Sequence, residues 1–193
     1  MVTLCITFML AIMRLFLMER LNIVWLYSFG LRKRITIFVG KKIGIFICMM
    51  GKLRLTKEFR FEGAHALPNY DGLCRHIHGH SYILYVTIEG MPEQDRNSHK
   101  YGMIMDFKDL KAIVNEEVLN RFDHALVLRR DSPGVNELSE QYGNVMVVDF
   151  QPTCENLIAY FAECIGRRLS KGVKLYSLRL YETATSYVEW INE

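Results

Sequence analysis

His65 to Gly90 reads HALPNYDGLCRHIHGHSYILYVTIEG, and it holds four of the chain's six histidines together with Cys74. From His78 onward the stretch alternates as a strand does. His78, His80, Tyr82, Leu84, Val86 and Ile88 fall on one face, and Gly79, Ser81, Ile83, Tyr85, Thr87 and Glu89 on the other. Two imidazoles two residues apart on a strand point the same way, with Cα atoms about 6.6–7 Å apart. Both can lean toward one ion at the ~2.0–2.1 Å length of a Zn–N bond. Gly79 between them adds no side chain to the opposite face. A third ligand has to come from elsewhere, and His65 is the natural candidate. Three neutral imidazoles leave a fourth position open, as in a catalytic rather than a structural zinc site.

Working outward, residues 53–62 (LRLTKEFRFE) alternate as a strand, with Leu53, Leu55, Phe59 and Phe61 on one face and Lys57 as the exception. His65 lies at or just past its end. Pro68, Asn69, Asp71 and Gly72 then make a loop that carries Cys74. The strand from His78 to Gly90 returns.

Pro92 to Gly102 reads as a polar surface loop. Asp106 is a predicted N-cap, and Phe107, Leu110, Ile113, Val114 and Val118 mark a helix that ends near Arg121. Residues 129–144 carry Pro133 and Gly134 and read mostly as loop. Residues 145–150 form a short apolar strand. Thr153 caps a second helix with Leu157, Ile158, Phe161, Ile165 and Leu169 as its buried stripe, ended by Lys171-Gly172. Strands follow at 175–182 and 186–191. This order predicts an α+β fold with a mostly antiparallel sheet.

The net charge of +3 is uneven. Residues 1–50 carry seven Lys/Arg and one acidic residue, whereas residues 51–193 carry seventeen Lys/Arg and twenty Asp/Glu. No basic stripe with interleaved aromatics follows residue 51, so a nucleic-acid partner is not expected. The five cysteines match no zinc-ribbon or CxxC spacing and read as reduced thiols of a cytoplasmic protein. In residues 1–50, apolar runs are broken by charges before reaching the ~18–20 residues of a spanning helix. This segment is read as a hydrophobic, basic extension, either a mis-assigned start or a weak membrane segment. Ordinary globular patterning begins at Gly51.

Cys74 lies beside Arg75 and His76 on a polar loop, surroundings that favour a reactive thiol over an inert buried one. It could equally be a fourth metal ligand. Asp123-His124 follows the first helix, and Glu182 lies in the late strand LYETATSY. A zinc hydrolase using Glu182 or Glu155, and a non-catalytic module with structural zinc, are both compatible with these residues.

His65 followed by Cys74-Arg-His-Ile-His78-Gly-His80 resembles the 6-pyruvoyltetrahydropterin synthase family, and within it the bacterial 6-carboxytetrahydropterin synthase branch of queuosine-precursor biosynthesis. Gly102-Met-Ile-Met-Asp-Phe107, Phe122-Asp-His124, Pro152-Thr-Cys-Glu-Asn156 and Tyr181-Glu-Thr183 extend the likeness from Leu53 to Trp190. His76 stands where relatives often carry another residue. The resemblance implies a tunnelling fold: an antiparallel four-stranded sheet with two helices packed on one face, joined as an oligomeric barrel, usually a homohexamer with active sites between subunits. It implies Zn2+ on His65, His78 and His80. Cys74 would be the general base, with Asp123 and His124 as its proton relay. Glu182 would hold the pterin, with Thr153 and Glu155 near the pocket. The implied lyase takes 7,8-dihydroneopterin triphosphate to 6-carboxy-5,6,7,8-tetrahydropterin, releasing acetaldehyde and triphosphate. The pyruvoyl branch, which performs only the elimination and an internal redox step, uses the same residues.

Overall fold

The computed structural model describes residues 51–193 and, before them, the backbone of two short strands, Ile23–Leu26 (β1) and Ile35–Phe38 (β2). The chain divides into two compact units, residues 1–50 and 51–193. In the first, β1 and β2 pair antiparallel, Ile23 opposite Phe38. The expectation of a mis-assigned start or membrane segment falls on residues that otherwise lie outside those described. No helix among the described residues is long and apolar enough to cross a membrane.

The second unit is built on one long ribbon. Strand β3 (Leu53–His65) and strand β4 (His78–Gly90) pair antiparallel along their whole length, from Leu53 opposite Gly90 to His65 opposite His78. The alternation seen in the sequence is the alternation in burial. Leu84, Val86 and Ile88 are fully buried, as is nearly all of Phe59, Phe61 and Tyr82, while the intervening residues face outward. Burying one such side chain contributes about 1.5–3 kcal/mol, so a slip of one residue, which would exchange the two faces, is strongly disfavoured.

Strand β7 (Val173–Tyr181) pairs antiparallel with β4, and β8 (Tyr187–Ile191) with β7. On the other side of β3 the sheet departs from expectation. Ala125–Arg129 is a strand, β5, parallel to β3, and Val145–Val148 (β6) lies parallel to β5. The sheet is therefore six-stranded and mixed, in the order β6-β5-β3-β4-β7-β8, not four-stranded and antiparallel. Helix α2 (Val135–Gln141) interrupts the segment expected to be loop; Val135 and Leu138 pack with Leu128, Ala66 and the apolar residues of β6. Gly134, at φ 72°, supplies the left-handed turn into it.

Two longer helices cover the apolar face of the sheet. Helix α1 (Phe107–Val114) is capped by the Asp106 carboxylate, which accepts from the Lys108 N–H at 2.8 Å. It continues through a π-helical turn (Asn115–Leu119) to Phe122. Helix α3 (Cys154–Gly166) is capped by Thr153, whose hydroxyl accepts from the Asn156 N–H at 3.4 Å. Leu110, Val114, Val118 and Phe122 of the first and Leu157, Ile158, Phe161 and Ile165 of the second join the face that carries Phe59, Phe61, Tyr82 and Leu84 in one core. Phe161 sets its edge against both Phe61 and Phe122. The expected two helices on one face are thus present, and His65, His78 and His80 lie at the end of that same face.

Candidate functional site

The register that closes the β3–β4 ribbon also assembles the site. His65 and His78 are paired residues, and His80 is opposite Gly63. The three imidazoles face one another with ring centroids 4.6, 4.9 and 5.2 Å apart. One ligand nitrogen from each lies within 4.8 Å of the others.

Two of the rings are oriented from behind. His65 Nδ1 is 2.6 Å from the Pro152 carbonyl, and His78 Nδ1 is 2.9 Å from the His76 carbonyl. A carbonyl can only accept, so both Nδ1 atoms carry a proton, and in the neutral rings both Nε2 atoms present lone pairs. Those two lone-pair nitrogens stand 3.1 Å apart. Tetrahedral Zn–N bonds of ~2.0–2.1 Å put ligand nitrogens about 3.3 Å apart, so the pair is spaced for one cation. His80 Nε2 is buried and has no hydrogen-bond partner. An unpartnered buried nitrogen beside two converging lone pairs is what a bound cation satisfies, with the backbone carbonyls as the outer contacts that fix ring orientation.

His65 is almost wholly buried. Burial above all holds the His65 and His80 imidazoles below their ordinary pKa, opposed by the Pro152 carbonyl at His65 and by Glu182 at both. Neutral imidazole is the form that binds metal.

Glu182 reaches this cluster. It follows β7 by one residue, and its backbone N–H donates to the Ser186 carbonyl at 3.2 Å in the turn to β8. Its Oε1 lies 3.7 Å from both His65 Nε2 and His80 Nε2. The Tyr82 hydroxyl reaches the same oxygen at 3.5 Å. Burial raises the Tyr82 phenol above its ordinary pKa, and the Glu182 charge adds to this. Cys154 lies close by at the first turn of α3. Burial, then the Glu182 charge, pushes its thiol up to about 12.

Cys74 sits in a single 3-10 turn, Leu73–Arg75, on the loop that leaves His65 and returns to His78. It is a half-buried free thiol and is not part of the three-histidine group. The loop is held at its base: the Cys74 carbonyl accepts from the Leu67 N–H at 3.0 Å, and the Gln151 amide donates to the Pro68 carbonyl at 3.1 Å.

Asp123 and His124 do pair, Oδ1 to Nδ1 at 2.9 Å, and Asp123 Oδ1 also accepts from the Glu62 N–H at 3.0 Å. His124 adopts φ 59°, which turns it out of the strand path. Their hydrogen bonds run to Glu62 and Asn144, not to Cys74. His124 lines an open depression of about 800 Å³ whose walls include Glu62, Ala64, Gly79, Ser81 and Tyr142. Gly63 and His80 line it as well, so the depression reaches the edge of the histidine cluster. Thr153 is occupied as the α3 cap, and Glu155 is exposed in the first turn of that helix. The contacts of the Pro152 and His76 carbonyls are features that the sequence did not reveal, since they act through the backbone and leave no mark in residue type. Tyr82 is another, although its place two residues beyond His80 on the same face is a readable signal.

The model of the 6-pyruvoyl tetrahydropterin synthase family matches residues 54–193. A Haemophilus influenzae protein named 6-carboxy-5,6,7,8-tetrahydropterin synthase is 35% identical over 143 residues, covering 71% of this chain and 97% of that protein. An Aquifex aeolicus protein of the same name is 30% identical over 169 residues, covering 74% of this chain and 99% of that protein. Among solved structures, an uncharacterized protein from Wolinella succinogenes superposes with a TM-score of 0.62 at 24% identity, over 74% of this chain and 99% of its own. Caenorhabditis elegans 6-pyruvoyl tetrahydropterin synthase superposes at 0.55 and 22% identity, over 75% of this chain and 98% of its own. At such identities the two structures speak for the fold.

Proposed function

The chain belongs to the 6-pyruvoyl tetrahydropterin synthase family, and from that premise we propose that it is a zinc-dependent lyase converting 7,8-dihydroneopterin triphosphate to 6-carboxy-5,6,7,8-tetrahydropterin, with release of acetaldehyde and triphosphate. The observation that carries this reading is the convergence of three Nε2 atoms, two of them set by backbone carbonyls, at the end of the ribbon. The carboxy branch is chosen over the pyruvoyl branch because relatives at 30–35% identity carry the carboxy name, whereas the Caenorhabditis elegans pyruvoyl enzyme shares 22%. The reaction would serve queuosine-precursor synthesis in the cytoplasm.

His65, His78 and His80 would hold zinc. Bound there, zinc supplies Lewis-acid polarisation of substrate oxygens. Glu182 would accept hydrogen bonds from the amino and ring N–H edge of the pterin, an edge that suits the paired acceptors of a carboxylate. Thr153 and Glu155 would stand near that pocket. Cys74 would take and return protons at the substrate side chain as general base. Asp123 would orient His124 as its relay, as the 2.9 Å contact between them permits.

His124 and His80 line one open depression, while the hydrogen bonds of Asp123 and His124 do not reach Cys74. A homo-oligomer, with a homohexamer as the proposed size, is the assembly that family membership implies.

Product analysis with 7,8-dihydroneopterin triphosphate and zinc-loaded protein tests the proposal. The carboxylate, acetaldehyde and triphosphate are expected in equal amounts. Accumulation of 6-pyruvoyltetrahydropterin without acetaldehyde would move the chain to the other branch.

A further inference from the structure

Tyr82 has no assigned part in the chemistry, yet it is built into the site. It follows His80 by two residues on the same face of β4 and is 3% exposed. Its ring stacks on Phe61 with centroids 4.9 Å apart and planes within 14°. Gly63 makes room for it: a Cβ there would lie 3.3 Å from Tyr82 Cε2. Ring packing alone would be met by phenylalanine. The hydroxyl needs another reason, and its hydrogen-bond partner is the Glu182 carboxylate.

The geometry follows from the register. Ile83 is paired with Tyr181, so one further step sets Tyr82 opposite Glu182 at the point where β4 and β7 part. Glu182 Oε1 then has the phenol at 3.5 Å and two imidazole nitrogens at 3.7 Å. A glutamate in a turn has three side-chain torsions to lose, and one donor from a rigid, packed ring restricts them.

We propose that Tyr82 is a positioning residue for Glu182. Its hydroxyl holds the carboxylate in the orientation that receives the pterin N–H edge. This rests on the proposed role of Glu182 as the pterin anchor and goes beyond it by naming what aims the anchor. The 3.5 Å separation is long for an O–H···O bond, so the effect is set at a few-fold rather than orders of magnitude.

A double-mutant cycle tests it. Binding of unsubstituted pterin, which has no side chain to react, is measured by fluorescence on the full zinc-loaded chain. The set is wild type, Tyr82→Phe, Glu182→Gln and the double variant, with circular dichroism and zinc content checked for each. Tyr82→Phe is expected to weaken binding about three- to tenfold in the wild-type background and less than about twofold beside Glu182→Gln. Equal weakening in both backgrounds, or none in the wild-type background while Glu182→Gln weakens binding, overturns the positioning role and leaves the proposed function standing. If Glu182→Gln binds pterin as wild type does, or wild type binds none, the anchor reading itself is overturned and this proposal with it.

Discussion

His65 and His78 are cross-strand partners whose Nε2 atoms stand 3.1 Å apart, each ring turned by a backbone carbonyl behind it. Two lone pairs aimed at each other at that distance repel unless a proton or a cation lies between them. The strongest expectations for this protein follow from that pair.

His78→Ala removes one of the three proposed ligands while leaving the paired backbone in place. Zinc retained after dialysis, measured by atomic emission, should fall at least about tenfold. Zinc bound at wild-type level by His78→Ala would place the ion elsewhere.

Acid should weaken the metal-free fold through His65 and His80. Burial lowers their pKa below the 6.5 expected of an unfolded chain. Above pH 6.5 neither state takes up a proton, so these groups make stability insensitive to pH there. Below it the unfolded chain binds protons that the folded chain resists, and stability falls as pH drops toward the lowered folded values. Denaturation midpoints of the metal-free chain between pH 5 and 8 should show this slope, and replacing His65 by Phe should reduce it. A midpoint that rises on acidification would contradict the account.

Among the three described cysteines, iodoacetamide should modify Cys74 first in the native state. Cys74 is half-buried on its loop, whereas Cys154 and Cys164 are buried and the Cys154 thiol is pushed up to about 12. Peptide mapping after short exposure gives the order. On the proposed reading Cys74→Ala should keep zinc and lose turnover by at least about a hundredfold, the contribution expected of the proposed general base. Loss of zinc along with activity would make Cys74 a ligand.

Leu84 is fully buried at the centre of β4. Leu84→Ala should cost about 2–5 kcal/mol of unfolding free energy, read from chemical denaturation. A cost below ~1 kcal/mol would mean that the core collapses readily around the lost side chain.

What could be read beforehand follows from physical locality. The ribbon declared itself because β3 and β4 each have one wet and one buried face, so alternation survives along them. The same alternation placed His78 and His80 on one side, and the helices flanking Asp106 and Thr153 showed their apolar stripes. Ala125–Arg129 gave no such signal. It is a run of four apolar residues and Arg129 between neighbours on both sides, and its partner β3 lies some sixty residues back along the chain. The mixed sheet order was hidden for the same reason. The placing of Asp123 and His124 was hidden too, because a left-handed residue at His124 breaks the rule by which faces are counted.

The Pro152 carbonyl behind His65 belongs to the segment that leads into α3. Affinity for the proposed ion and the docking of that helix should consequently be coupled quantities. Anything that loosens the junction frees an imidazole to rotate, and release of the ion should then precede loss of the sheet on heating.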